Sequence, residues 1–287
     1  MKPLVTVGIP FHNEGAYLRE AIKSILRQTI SDLEVLLIDD GSSDDSLTVA
    51  RQFTDDPRVR VLSDGVRRGL PARLNEVVEQ ARGDYVARMD GDDICHPSRF
   101  ARELGLLERD PSLEVVGTWI ALVDHAARPL AISEYSRSAS KRDALRRGVL
   151  PHATIMGRRR WFRAHPYDVA MNRAEERDLW CRSVSTLRFD VVPEPLYLVR
   201  VLTRDATFIA DYRESQRQNR ILYRRYGPAA VGRIRAATAY VGTYAKSLMM
   251  SAALHTGVAE RLVRRRGRPP TEKEVSMIRA AAMVATA

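Results

Sequence analysis

The sequence predicts an α/β fold, with a mostly parallel sheet flanked by helices and a helical C-terminal extension. Three observations carry that expectation. Apolar, β-branched runs recur at residues 4–9, 33–38, 59–62 and 85–89, each short enough for a strand and too continuous for a sheet with one wet face. The segments between them place apolar residues at helical spacing. Polar clusters stand at 11–14, 39–43 and 90–93, directly after three of those runs. That is the end at which open α/β sheets collect their ligands.

Taken in order, the first run leads into Pro10, Phe11, His12, Asn13 and Glu14, and a helix over 14–28 buries Leu18, Ala21, Ile22, Ile25 and Leu26. The second run ends in Asp39, Asp40, Gly41, Ser42, Ser43 and Asp44, whose Ser and Asp residues suit the cap of a helix over 45–53. A third strand at 59–62 and a helix over 70–81 precede the fourth strand. Such alternation implies right-handed crossovers and parallel pairing, so the three polar clusters open at one edge. No Gly-x-Gly-x-x-Gly and no Walker Lys-Ser/Thr is present to cradle phosphate. Asp90 and Asp92, separated by Gly91, offer instead two hard oxygen ligands for Mg²⁺ or Mn²⁺, with coordination positions free for phosphate oxygens. An ordinary acidic turn has the same composition, and it is the shared edge that favours a site. Asp39 or Asp40 suits a base imide or a ribose hydroxyl.

The totals bound the rest. With 287 residues, 45% hydrophobic and 29% charged, the chain fits one large domain over 1–200 and an appendage over 201–287. Residues 201–287 hold 16 Lys and Arg against 6 Asp and Glu, so the whole net charge of +10 sits there. A basic tail suits anionic lipid, an anionic acceptor or nucleic acid, or is simply a solvated surface. Cys95 and Cys181 match neither a disulfide framework nor a zinc pattern, and the amino terminus reads directly as a strand. A cytoplasmic setting is expected, peripheral at the inner face of the membrane if the tail binds lipid.

Beyond Pro97 the pattern gives a helix over 99–107, a strand over 113–123, a turn at 126–129 into a partner strand at 130–133, and a helix over 141–147. Leu150, Pro151, His152, Ala153 and Thr154 interrupt it. Glu175, Glu176 and Asp178 gather ahead of Leu179 and Trp180 at a helix start, where carboxylates suit the macrodipole. A strand over 191–198 leads to Arg200, Thr203 and Arg204. From Phe208 the chain is helical, with Arg213, Arg217, Arg220 and Arg224 along one face and Pro228 expected to break it. Between Ala236 and Ala259 the single charge is Lys246, which argues against a spanning helix and for an in-plane or self-packing hairpin ahead of Arg264, Arg265, Arg266 and Arg268. RGRPP is like a minor-groove hook, but no reader motif accompanies it, so nucleic acid is not expected.

The series VTVGIPFHNEGAYLREAIKSILRQT, VLLIDDGSSDDS, LNEVVEQARGDYVARMDGDD, PSRF and VVGT resembles the family 2 glycosyltransferases of the GT-A fold over roughly residues 3–200. That resemblance implies a Rossmann-like nucleotide half and residue roles within it. Pro10, Phe11 and Glu14 would edge the nucleotide pocket, Asp39 and Asp40 would meet base or ribose, and Asp90 and Asp92 would bind the diphosphate through Mn²⁺ or Mg²⁺. His12 departs from the family's Pro-x-Tyr-Asn-Glu run, as a uracil contact or a wall residue. Arg73 is in reach of a phosphate or is a plain helix arginine. His152 matches a family histidine near the donor sugar. AEERDLW resembles the family's Glu-Asp-x-x-Leu-Trp motif, whose second acid is taken as catalytic base; that is Glu176 here, with Glu175 and Asp178 as alternatives because Glu replaces Asp. Arg200 stands for a diphosphate ligand, although Tyr197 lies too far from it for the family's Tyr-Arg pair.

The reading is therefore a metal-dependent, inverting transferase. It would pass a sugar from a nucleotide-diphosphate sugar, a UDP-sugar by resemblance, to a hydroxyl on a glycan or lipid-linked acceptor in polysaccharide or glycolipid assembly. The alternative is a non-catalytic sugar-nucleotide-binding or membrane-scaffold protein of the same fold. An aspartyl phosphotransferase is disfavoured because its Asp-x-Asp should end the first strand and be followed by Thr.

Overall fold

The computed structural model describes residues 2–201, 206–255 and 267–286, and for 206–211 and 250–255 the backbone alone. Thr203, Arg204, Arg264, Arg265 and Arg266 lie outside the described residues.

Continuous apolar runs make the first four strands, β1 (Val5–Phe11), β2 (Leu33–Asp39), β3 (Val59–Ser63) and β4 (Tyr85–Arg88). Every residue of β1 and β2 is buried, as a sheet covered on both faces requires. They pair in parallel in the order β3-β2-β1-β4. The helices α1 (Gly15–Leu26), α2 (Ser46–Arg51) and α3 (Leu70–Gln80) provide the crossovers. α3 lies so close to β1 that a Cβ at Gly8 would collide with the Val77 side chain.

The remainder of the sheet is mixed, which departs from the expected parallel pairing. It runs on from β4 through β8 (Met156–Arg158), β6 (Val115–Val123), β9 (Phe189–Arg200) and β5 (Ile94–Cys95), with β7 (Pro129–Ser133) paired to β6. β8 is antiparallel to both β4 and β6, and β5 to β9, while β6 and β9 run parallel. Strands of two or three residues are too short to register as a period, so β5 and β8 were not legible in the chain. The β6–β7 hairpin, by contrast, turns where the sequence places it. Helices α4 (Arg99–Arg109), α5 (Lys141–Arg147), α6 (Arg159–Ala164) and α7 (Glu175–Ser183) and a 3₁₀ turn (His152–Thr154) complete the segment.

After the sheet come α8 (Ala206–Val231), α9 (Arg233–His255) and α10 (Glu272–Thr286). Leu222 of α8 packs with Leu145, Met171 and Ala174, and Ile278, Ala281 and Ala285 of α10 pack with Ile94, Ala121 and Leu198. Arg268 also forms a bridge with Ile132 of β7. The basic segment beyond residue 200 thus shares buried contacts with the sheet domain. Pro228 does not break α8 as expected; the helix runs through it to Val231, forgoing only the one bond its missing N–H would have made to Arg224. The break falls at Gly232, whose φ of 84° is the left-handed geometry a helix reversal needs.

Candidate active site

The loops after β1 and β2 are tied together before they meet any ligand. The Asp40 amide donates to the Phe11 carbonyl at 2.8 Å, and His12 Nδ1 lies 3.0 Å from the Asp40 carbonyl oxygen. Asn13, at a φ of 57°, accepts from the Ser43 amide through Oδ1, and the Glu14 amide donates to Ser46 Oγ at 2.8 Å. Asn tolerates that left-handed conformation better than most residues. Above these loops opens a cavity of about 330 Å³, lined among others by Pro10, Phe11, His12, Glu14, Asp40, Arg88, Asp90, Asp92 and Glu175. Five carboxylates from distant parts of the chain therefore share one hollow.

The turn after β4 supplies two of them. Arg88 Nη2 reaches Asp90 Oδ1 at 2.6 Å, the Asp90 amide donates to the buried Tyr197 hydroxyl at 3.0 Å, and a Cβ at Gly91 would run into Glu14 Oε2. The end of the Glu14 side chain must swing aside before any side chain fits there. On the far side the Arg200 amide donates to Asp93 Oδ1 at 2.9 Å and Arg200 Nη1 to the Asp92 carbonyl at 2.6 Å. Beneath the turn Arg99 packs over the Tyr197 ring and donates to the Arg88 carbonyl at 3.1 Å, with its charge matched by Glu103 at 3.2 Å; both side chains are fully buried. These contacts fix the backbone that carries Asp90 and Asp92.

Electrostatically the turn holds more negative charge than its partners balance. Burial, then the neighbouring Asp90, pushes Asp92 up to about 6. Burial with Asp92 and Asp90 likewise raises both Glu14 and Asp93. Glu14 Oε2 is buried without a hydrogen-bond partner. A divalent cation held by Asp90 and Asp92 would relieve this crowding. No three His, Cys, Asp or Glu side chains among the described residues form a ready-made metal cage. The donor set nevertheless fits Mg²⁺ or Mn²⁺, which binds through one or two carboxylates together with water and substrate phosphates.

The start of α7 decides among the three candidate acids there. Asp178 is fully buried and accepts from Arg182 at 2.7 Å, Tyr226 at 2.7 Å and Arg225 at 3.2 Å. It anchors α8 and is unavailable as a base, so that alternative is withdrawn. Glu175 lines the cavity with Asp90 and Asp92, and its buried Oε2 lacks a partner. Burial, opposed by Arg88 and reinforced by Asp90, raises it. Glu176 is absent from that lining, and its Oε1 would stand 3.1 Å from a Cβ at Gly148, the left-handed residue closing α5. Burial and then Glu175 push it up to about 7. Gly148 lines a second cavity of about 560 Å³, with Trp119, Tyr135, Arg147 and Arg268. Glu175 thus lines the donor-side cavity, while Glu176, the next residue of the helix, packs beside Gly148 and lines neither cavity.

Four expected residues lie elsewhere. Asp39 is absent from the cavity lining and accepts from the Ser42 amide at 2.9 Å and the Ser63 hydroxyl at 2.8 Å. Arg73 is 1% exposed and directs its guanidinium to Asp40, Asp64 and Glu76, so it does not face a phosphate. Asp40 in turn accepts from the amides of Arg68 and Gly69 at 2.7 and 3.1 Å, which positions the loop before α3 as part of the cavity wall. His152 is buried against the Tyr167 hydroxyl at 2.8 Å, its pKa lowered by burial and by Arg88. Arg200 is buried between Glu20, the Tyr17 ring and Asp92, bracing the acidic turn and absent from the cavity lining. Conversely, the sequence reading missed Arg67, Arg88, Asn172 and Arg173 as lining residues. Only Arg88 carried a signal, as a cation ending a strand that is otherwise apolar and running straight into three acids.

The profile described as Glycosyl transferase family 2 matches residues 6–166, more than half of the chain. The chain is 32% identical over 209 residues to the Bacillus subtilis protein EpsE, named for glycosyltransferase activity, covering 69% of this chain and 73% of that one. It is 30% identical over 182 residues to a chondroitin synthase of Escherichia coli, covering 63% of this chain but only 26% of the synthase. Among solved structures, the mannosyltransferase PcManGT of Pyrobaculum calidifontis, in complex with GDP-Man and Mn²⁺, superposes at a TM-score of 0.63 and 17% identity, covering 100% of this chain and 86% of that one. TarS 1-349 of S. aureus with UDP-GlcNAc gives 0.62 at 16% identity, covering 78% and 67%. These likenesses in shape identify the curled mixed sheet as the GT-A fold. On the profile match, and with the acidic turn, strand edge and α7 acids already in view, the chain belongs to glycosyl transferase family 2.

Proposed function

We propose that the protein is an inverting, divalent-metal-dependent glycosyltransferase. It passes a sugar from a nucleotide-diphosphate donor, a UDP-sugar first, to a hydroxyl of a glycan or lipid-linked acceptor in polysaccharide or glycolipid assembly. One observation supports this above the others: Asp40, Asp90, Asp92 and Glu175, from distant parts of the chain, line one hollow, and Glu176 stands next to Glu175 at the start of α7.

In this reading the nucleotide lies against Pro10, Phe11, His12 and Asp40, and its diphosphate meets the acidic turn. Asp90 and Asp92 would hold the cation, which would supply Lewis-acid stabilisation to the departing diphosphate. Arg88 fixes the Asp90 carboxylate, and Arg67 and Arg173 add positive charge along the same wall. The acceptor enters from the second hollow, lined by Trp119, Tyr135, Arg147 and by Arg268, whose guanidinium is already held by Glu134 and Glu274. Glu176 takes the proton as the acceptor oxygen forms its bond to the anomeric carbon. The bond from that carbon to the diphosphate oxygen breaks on the opposite face, so configuration inverts.

Relatives and neighbours support the donor and product class by what they are named for: chondroitin synthase, hyaluronan synthase of Pasteurella multocida, and complexes with UDP-GlcNAc or GDP-Man. The test is a panel of UDP-, GDP- and dTDP-sugars, read by thermal stabilisation with and without Mn²⁺, followed by NMR of the product's anomeric configuration. Stabilisation by a UDP-sugar that needs Mn²⁺ and disappears in Asp92→Ala, with an inverted product, is expected. Absence of any nucleotide-sugar effect, or a retained configuration, overturns the reading.

A further inference from the structure

The C-terminal helices carry a surface that the transfer reaction leaves unexplained. Of the nine large hydrophobic side chains exposed among the described residues, five belong to α9: Ile234, Val241, Tyr244, Leu248 and Met249. Four of them form a band. Ile234 is 82% exposed, Val241 65%, Leu248 74% and Met249 70%, and at about 100° per residue they fall within an arc of about 100°. The opposite face is the packed one: Ala236 and Thr243 are buried, with Arg220 of α8 reaching Thr243 Oγ1 at 3.4 Å. α9 is therefore already partnered on one side by α8 and bare on the other.

The margins of the band are cationic. On the same wheel Arg233 falls on one side, and Arg235 and Lys246 on the other, while α9 contains no Asp or Glu. An apolar stripe between cations, on a helix without acids, matches the interface of an anionic bilayer: the side chains sink below the headgroups and the cations meet the phosphates. A second copy of the chain fits worse, because it would bring like charges together along both margins with no carboxylate on the helix to pair them. Spanning does not compete either. No helix among the described residues is long and apolar enough to cross a membrane.

We infer that α9 is a membrane-docking helix that lies in the plane of an anionic lipid surface through Ile234, Val241, Leu248 and Met249, flanked by Arg233, Arg235 and Lys246. This goes beyond the transfer reaction and stands independently of it. The test uses the full chain and vesicles of phosphatidylcholine alone or with roughly a third phosphatidylglycerol. Wild type should sediment with the anionic vesicles, weakly with the neutral ones, and less as salt rises. Ile234→Ser/Val241→Ser/Leu248→Ser should lose more than about tenfold in partitioning, and Arg233→Gln/Arg235→Gln/Lys246→Gln should lose the preference for anionic lipid. All six side chains lie away from the proposed donor hollow, so stabilisation by UDP with Mn²⁺ should be unchanged in both variants and reports that they are folded. Equal sedimentation of wild type and the serine variant overturns the inference. So does failure of wild type to bind anionic vesicles, or a concentration-dependent dimer that the serine variant abolishes, since the band would then be covered by another copy.

Discussion

Replacing Glu176 by Gln keeps the shape of the α7 amino terminus and removes the ability to take a proton. Burial and the adjacent Glu175 push Glu176 up to about 7, so near neutral pH roughly half of the molecules carry the basic form, and at pH 5 only about 1% do. A general base contributes about 10² to 10⁴-fold in rate, or about 3 to 5 kcal/mol of barrier. Wild-type turnover at saturating donor and Mn²⁺ should therefore climb about tenfold per pH unit up to about 7 and then level. Glu176→Gln should fall by at least about a hundredfold at pH 8 and lose that acid limb, while its affinity for the nucleotide stays within about twofold. Nucleotide release and product formation, followed across pH 5 to 9, measure both. Near-normal turnover in Glu176→Gln, alongside loss of turnover in Glu175→Gln, would refute this assignment and make Glu175 the base.

Three further outcomes follow from the acidic turn and its support. Because Asp92 is raised to about 6, its contribution favours the folded state below its ordinary range near 4 and is lost as pH rises through about 6. Melting temperature without metal should drop between pH 5 and 7.5, more steeply than in Asp92→Asn, and Mn²⁺ should reduce the drop; equal slopes in the two proteins would contradict this. Gly91→Ala makes the end of the Glu14 side chain swing aside, so Mn²⁺-dependent nucleotide binding should weaken by less than about tenfold, as calorimetry would show. Glu103→Leu leaves the Arg99 guanidinium buried without its carboxylate and should cost about 3 to 5 kcal/mol in urea unfolding; a cost below about 1 kcal/mol would mean that Arg99 finds another partner.

The first four strands and their shared edge are legible in the chain. Continuous β-branched runs can only be strands covered on both faces, helices between them force parallel crossovers, and crossovers bring strand ends to one edge. Hence Phe11, Asp40, Asp90 and Asp92 were placed together without coordinates. Only the tertiary structure decided which polar side chains face the hollow. Arg73 and Arg88 are both arginines in regular elements, yet one is enclosed by Asp40, Asp64 and Glu76 and the other reaches Asp90 at the cavity wall. Asp178 is withdrawn from chemistry by Arg182, Arg225 and Tyr226, the latter two arriving from α8 some 47 and 48 positions along the chain. The close approach of Glu176 likewise depends on Gly148, a residue with no side chain to announce itself. Backbone pattern is written locally in hydrophobic spacing, whereas the direction and pairing of a charged side chain depend on groups that meet it only after the chain has packed.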